Sequence, residues 1–242
     1  MQPESRAKRG INKRTLLAAV LFLIVMPATL ACGILFLKDK KYYIVCLLLI
    51  VYAMLPFFFL FENRRPQARE LVVIAVLCAI GVAGRAAFFM VPQFKPVAAV
   101  VILAGVCFGA ESGFLVGAMT AFVSNFFFGQ GPWTPWQMFA FGLIGFLAGL
   151  LFKEGRLPRK RLPLCAFGAV AILVLYGGII NISSVLLFTA GPSWQTAAAT
   201  YLAALPFDIS HALSTVFFLF VLTNPMLEKL GRIRKKYGLL RG

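Results

Sequence analysis

The chain is expected to be an all-α polytopic membrane protein with eight spans and both termini cytoplasmic. Three observations lead there. Of 242 residues, 61% are hydrophobic and 13% charged, about half the charged share of a soluble domain. The apolar residues fall in long, nearly uncharged blocks of the length a membrane-crossing helix needs, which excludes a soluble globular domain and a disordered chain. The basic residues, 24 Lys and Arg against 8 Asp and Glu for a net charge of +16, cluster between those blocks. In a soluble protein such a balance suggests nucleic acid. Placed between apolar blocks it marks topology, so no nucleic-acid partner is expected.

Residues 1–15, with Arg6, Lys8, Arg9, Lys13 and Arg14, read as a basic cytoplasmic N-terminus. The apolar run 16–37 is long for a signal-peptide core. Thr29-Leu30-Ala31-Cys32-Gly33 only faintly resembles a lipoprotein cleavage site. Retention as a first span is expected. A second span, 42–61, completes an accessory pair, closed by the linker Glu62-Asn63-Arg64-Arg65-Pro66. Further spans follow at 71–91, 136–152, 163–190 and 200–223, and residues 229–242 form a basic cytoplasmic tail.

The block 97–128 is too long for one upright helix, and Gly109-Ala110-Glu111-Ser112-Gly113 interrupts it. Splitting it places nineteen Lys and Arg inside (1–15, 62–70, 109–113, 153–162, 224–242) against four outside (Lys38, Lys40, Lys41, Lys95). Leaving it whole gives eight inside against fifteen outside. The positive-inside rule selects the split. Gly105, Gly109, Gly113 and Gly117 recur every four residues, a register that one continuous helix would also align. The two halves are short, so neighbouring helices are expected to shield them from lipid.

The five cysteines, Cys32, Cys46, Cys78, Cys107 and Cys165, form no CxxC pair and read as small buried hydrophobes, with neither disulfide framework nor metal site. There is no Walker A loop and no acid pair with metal-ligand spacing. Neither enzyme activity nor a cofactor is expected.

Polar residues inside a membrane are costly and usually functional. The eight-span topology puts Arg85, Asn125, Gln137, Asn181 and Asp208, from five helices, at one depth beneath the outer surface. His211 lies slightly deeper, and Glu111 sits at the inner turn. These groups either glue helices together, with Arg85 paired to Asp208, or face a water-accessible pocket. The outer loops add Gln93 and Lys95 in Phe88-Phe89-Met90-Val91-Pro92-Gln93-Phe94-Lys95-Pro96, and Gln130, Trp133 and Trp136 in Gly129-Gln130-Gly131-Pro132-Trp133-Thr134-Pro135-Trp136-Gln137. Gly191-Pro192-Ser193-Trp194-Gln195 places the third Trp on the same face. Aromatics with amides on one face suit a lid that stacks on a planar ligand. Trp133 and Trp136 are expected to stack on it, and Asn125 and Gln137 to bond its polar edge. Truncating either amide should then weaken binding and spare the fold. Ala75, Ala79, Ala83 and Ala87 make a small-residue stripe for close helix approach, in the bundle or on a separate membrane subunit; Gly145 and Gly149 make a shorter one.

From Arg69 to about Met226 the chain resembles the substrate-binding S component of energy-coupling factor (ECF) vitamin transporters. The resemblance rests on Glu70-Leu71-Val72-Val73-Ile74-Ala75 leading into the alanine stripe, on Pro92-Gln93-Phe94-Lys95-Pro96, and on the stretch from Phe122 to Met138. It implies a six-helix core over 66–228, preceded by the two extra helices of 16–61. It implies capture of a vitamin or cofactor precursor from outside, handed to a transmembrane coupling subunit driven by two ATPases in other chains. It also implies residence in a prokaryotic cytoplasmic membrane. The stripe Ala75, Ala79, Ala83 and Ala87 maps onto the family's coupling-subunit face, and loops 91–96, 129–135 and 189–199 onto those that shape its site. Cobalamin is one lead, from the roomy aromatic loops; a flavin, pterin or purine-like ring would stack there too. A membrane scaffold without a ligand is the reading from another class.

Overall fold

Val97–Phe108 carries no charged residue, and all twelve of its positions are buried. Such a segment has no face for water or lipid, so it is stable only when enclosed. In the computed structural model, which describes residues 42–63, 67–153, 155–189 and 192–236, it is the central helix of a bundle. In chain order the described helices are α1 (Tyr42–Asn63), α2 (Ala68–Ala87), α3 (Val97–Phe108), α4 (Ala110–Phe128), α5 (Thr134–Lys153), α6 (Arg161–Phe188) and α7 (Trp194–Lys236). α3 packs against α2, α4, α5, α6 and α7. Among the described residues there is no strand. Five of the described helices, α2 and α4 to α7, are long and apolar enough to cross a membrane. At about 1.5 Å per residue α3 spans only about 18 Å, and its neighbours supply the shielding that so short a helix requires.

The block 97–128 is two helices. Gly109, at φ 103°, ends α3 in a conformation that suits glycine. α4 starts at the next residue and folds back along α3. A Cβ added to Gly113 would lie 2.7 Å from the Cα of Gly105. On one continuous helix those eight positions would span about 12 Å. The four-residue glycine register therefore lines a hairpin instead of a single helix face. α5 closes onto the same seam: a Cβ on Gly105 or Gly113 would meet the Gly145 carbonyl oxygen at 2.2 or 2.3 Å, and one on Gly149 would meet the Ala110 nitrogen at 2.3 Å. The Gly145/Gly149 stripe is thus internal packing. With lipid as solvent there is little hydrophobic drive between helices, and close backbone contact supplies dispersion energy instead.

α2 is two-faced. Ile74, Leu77, Cys78 and Gly81 are buried, with Gly81 seated on Thr120 and Gly84 on Pro96. Ala75, Ala79, Ala83 and Ala87 lie exposed on the outside of the bundle. α1 packs on α4, α5 and α6, with Phe58 edge-on to Phe114 at 5.9 Å. The expected span 16–37 lies outside the described residues. Cys78, Cys107 and Cys165 are buried free thiols, as their apolar settings implied.

Several boundaries differ from the expected ones. α2 ends at Ala87, and residues 88–96 form the connection to α3. α5 begins at Thr134, which draws Trp136 and Gln137 into its first turn behind Pro135. α7 begins at Trp194, shortening the expected 189–199 loop, and runs on through Pro225 to Lys236. Its last turns are not a free tail, because Leu230 is buried and Met226, Leu227 and Ile233 pack on the core. Two wide, π-helical turns occur, at Gly149–Lys153 and Ala171–Tyr176.

At the Lys153 end of the bundle the basic residues make specific bonds. Lys153 Nζ donates to the Phe108 carbonyl at 3.1 Å, Arg234 to that of Cys107 at 3.3 Å, and Arg159 to those of Phe152 and Lys153 at 2.9 and 2.6 Å. These are last-turn carbonyls of α3 and α5, which have no partner within their own helices. Cations there also meet the negative ends of the helix dipoles.

Candidate functional site

At the opposite end, the α2 C-terminus brings Arg85 against α4. Its Nη1 donates to Ser124 Oγ at 2.6 Å and to Asn125 Oδ1 at 2.7 Å. The guanidinium also lies over the Phe128 ring, 4.7 Å from its centroid. Asn125, 1% exposed, then donates from Nδ2 to Gln137 Oε1 at 2.7 Å and to Thr134 Oγ1 at 3.1 Å. Thr134 Oγ1 donates to Gln130 Oε1 at 2.8 Å, and Gln130 Nε2 to the Phe122 carbonyl at 3.0 Å. One polar chain thus ties α2, α4, the 129–133 turn and α5 together.

Asn181 and Asp208 form a second group. Asn181 Nδ2 donates to Asp208 Oδ2 at 2.8 Å, and the carboxylate packs against Gly177. The expected alternative of an Arg85–Asp208 ion pair is not what the side chains make: each takes neutral partners.

A cavity of about 110 Å³ opens beside Arg85. It is lined by Arg85, Gln93, Lys95, Val97, Ala121, Ser124, Gln137, Phe141, Tyr176 and His211. Of the residues expected to bind ligand, Arg85, Gln93, Lys95 and Gln137 line it. Asn125 stands behind Arg85 and Gln137 as their support. Gln130 holds the turn, and Asn181 and Asp208 are outside the lining. The tryptophans are also elsewhere. Trp133 folds over Gly131 and lies 6.3 Å from Phe188. Trp194 is 90% exposed. The rings on the cavity are Phe141 and Tyr176, whose centroids lie 4.7 Å apart.

Sequence reasoning missed Tyr176, Ser124 and Phe141, and left His211 aside. Tyr176 ends the wide turn of α6, and such turns are frequent at functional sites. His211 is 5% exposed, stands edge-on to Tyr176 at 4.8 Å, and leaves Nδ1 buried without a partner. Ser124 had one available signal, since it adjoins Asn125 in the same polar pair. His211 had its place among the intramembrane polar residues as a signal; Tyr176 and Phe141 had none, because which face of a helix meets a cavity is set by its neighbours.

The loop 88–96 closes the cavity over α3. Gln93 holds φ 56°, a left-handed conformation uncommon for a side-chain-bearing residue and typical of constrained sites. The Lys95 backbone is fixed to α7: its amide donates to Ser214 Oγ at 2.8 Å, and its carbonyl accepts from the same hydroxyl at 3.2 Å. Burial first, and the charge of Arg85 second, push the Lys95 ammonium below its ordinary pKa. Among the described residues no cluster of His, Cys, Asp and Glu fits a metal ion.

Comparison with known proteins places the chain in a family. The family model for the S component of ECF-type riboflavin transporters matches residues 66–228. A UPF0397 protein of Vibrio atlanticus is 35% identical over 125 residues, 49% of this chain and 68% of its own length. UPF0397 proteins of Aliivibrio salmonicida and Aliivibrio fischeri are 36% and 30% identical over 122 residues, 48% of this chain and 66% of theirs. The chain therefore spans about two thirds of the length of the curated relatives it matches. No solved structure matches it. With two thirds of its length matched by one model, over the region that carries the six helices α2–α7, this chain belongs to the ECF-type riboflavin transporter S-component family.

Proposed function

We propose that the protein is the substrate-capturing subunit of an ECF-type importer in a bacterial plasma membrane. It takes up a vitamin or cofactor precursor from the outside and passes it to a transmembrane coupling subunit driven by two separate ATPases. The carrying observation is the small polar cavity at the Arg85 end, with His211 Nδ1 buried in its wall and unpartnered. A buried polar atom without a partner costs about 1–3 kcal/mol, and a ligand acceptor or donor at that point would recover it. At about 110 Å³ the cavity is smaller than the roughly 300–1,000 Å³ of drug-sized ligand sites. It therefore holds one polar end of a ligand, and loops 88–96 and 129–133 part to admit the rest.

The stripe Ala75, Ala79, Ala83 and Ala87 is the proposed coupling-subunit face. Its exposure on the outside of α2 supports that reading over internal packing. An apolar groove lined in part by Ala83, Ala87, Phe217 and Val221 runs beside it, offering room for inserted side chains. The proposed core is 66–228, with 16–61 as an accessory pair and both termini cytoplasmic.

Native mass spectrometry of the purified full chain, with uptake assays in cells carrying the partner subunits, tests the reading. A small-molecule adduct is expected on the wild type and on Ala79→Leu, and absent from His211→Leu. Ala79→Leu should fail to transport. A wild type that carries no adduct, even after exposure to a vitamin-rich extract, would favour a ligand-free membrane scaffold.

A further inference from the structure

The cavity wall carries two cations and no acid. Arg85 and Lys95 both line it, beside Gln93, Ser124, Gln137 and His211. Arg85 uses only Nη1 for its bonds to Ser124 and Asn125, so Nε and Nη2 keep their donors. The Lys95 ammonium has no hydrogen-bond partner among the described residues; the bonds of Lys95 are those of its backbone to Ser214. Asp208, the acid of α7 at this end, accepts from Asn181 and stands outside the lining. Two positive groups sharing a small space without a counter-charge are costly in an apolar bundle. The remaining polar lining groups can donate but supply no negative charge, and Val97, Ala121 and Phe141 are apolar.

We propose, resting on the capture function above, that the captured compound is an anion whose carboxylate or phosphate group seats between Arg85 and Lys95. Arginine's planar fork suits bidentate contact with either group, and Lys95 adds a point charge from the loop that closes over it. His211 and Gln137 lie where they contact the neutral part next to the charged group. The depressed Lys95 pKa fits the same picture: an anion in the seat favours the protonated ammonium, so binding draws the pKa back up.

Thermal unfolding of the full chain in detergent, with inorganic phosphate and acetate as probes against chloride at equal ionic strength, tests this. Phosphate or acetate is expected to raise the melting temperature beyond chloride. The apparent anion affinity should fall about tenfold in Lys95→Gln, the scale of one charged contact, and further in Arg85→Gln. Lys95→Gln keeps the test usable should Arg85→Gln fail to fold, because the Lys95 side chain bonds nothing in the protein. Equal shifts with chloride, or shifts unchanged in Lys95→Gln, overturn the proposal. Mass spectrometry of compounds retained from yeast extract separates the two readings. A neutral compound held equally by wild type and Lys95→Gln overturns the anion and leaves capture standing. An anion-specific shift with no compound retained upholds the anion seat and overturns capture.

Discussion

Asn125 and Gln137 look alike in the sequence, two amides at one depth, yet the structure gives them different work. Asn125 is the hub: it accepts from Arg85 and donates to Gln137 and Thr134, and it is almost fully buried. Gln137 sits on the cavity wall. Asn125→Ala should therefore destabilise the fold by about 1–3 kcal/mol, more if the charge of Arg85 is stranded, with loss of melting temperature in detergent as the readout. The expectation that truncating Asn125 spares the fold does not survive its burial. Gln137→Ala removes one acceptor of Asn125 Nδ2, which keeps its bond to Thr134, so it should lower the melting temperature less than Asn125→Ala and weaken retention of the co-purified compound about tenfold. Asp208→Asn is the matching control. Its partner is the neutral Asn181, and an asparagine carbonyl still accepts that bond. Stability should stay within about 0.5 kcal/mol, whereas a structural ion pair with Arg85 would make the same change cost several.

Among elements, the α3–α4–α5 seam is the most exacting contact. It is closed by backbone approaching backbone at Gly105, Gly113, Gly145 and Gly149. A Cβ on Gly145 would fall 2.2 Å from the Gly113 carbonyl oxygen, and neither backbone can yield without opening the hairpin. Gly145→Ala should cost about 1–3 kcal/mol, as overpacking does. Gly178, on α6, has nothing within 4 Å of its would-be Cβ. Gly178→Ala should be neutral or stabilise by up to about 1 kcal/mol, since glycine in a helix interior is conformationally costly. Unfolding of the two variants in parallel checks the pair. Were Gly145→Ala no worse than Gly178→Ala, the seam would be looser than its contacts imply.

For the whole molecule, the two ends of the bundle carry different chemistry. One end holds the polar chain, the cavity and the tryptophans; the other holds Lys153, Arg159 and Arg234 against helix C-termini, with Arg161 over the Phe220 ring. The positive-inside rule assigns the second end to the cytoplasm. Cysteines introduced at Pro132 and Gln195, both exposed, should label with an impermeant thiol reagent in intact cells, in a background without native cysteines. A cysteine at Arg156, exposed at the other end, should label only after lysis. Labelling of Arg156→Cys in intact cells would invert the orientation and put the cavity on the cytoplasmic side. Thr134 is unsuitable as a reporter because it is buried and bonds Asn125 and Gln130.

Composition and charge placement by themselves determined the helical membrane class, and the parity of basic clusters pointed to the break at Gly109. Those signals are legible because hydrocarbon imposes a length and a polarity on every span, whatever its neighbours. The grouping of Arg85, Asn125 and Gln137 at one end followed from the same counting. Only the tertiary structure decided which groups face the cavity. It placed Tyr176, Phe141 and His211 on the wall, Asn125 behind it, and Trp133 over its own loop. It also turned one four-residue glycine register into a hairpin seam, while leaving the alanine register of α2 on the outer surface. Linear spacing fixes which residues share a helix face. What that face meets is set by packing among helices far apart in sequence, where the close approach of one backbone to another selects the arrangement.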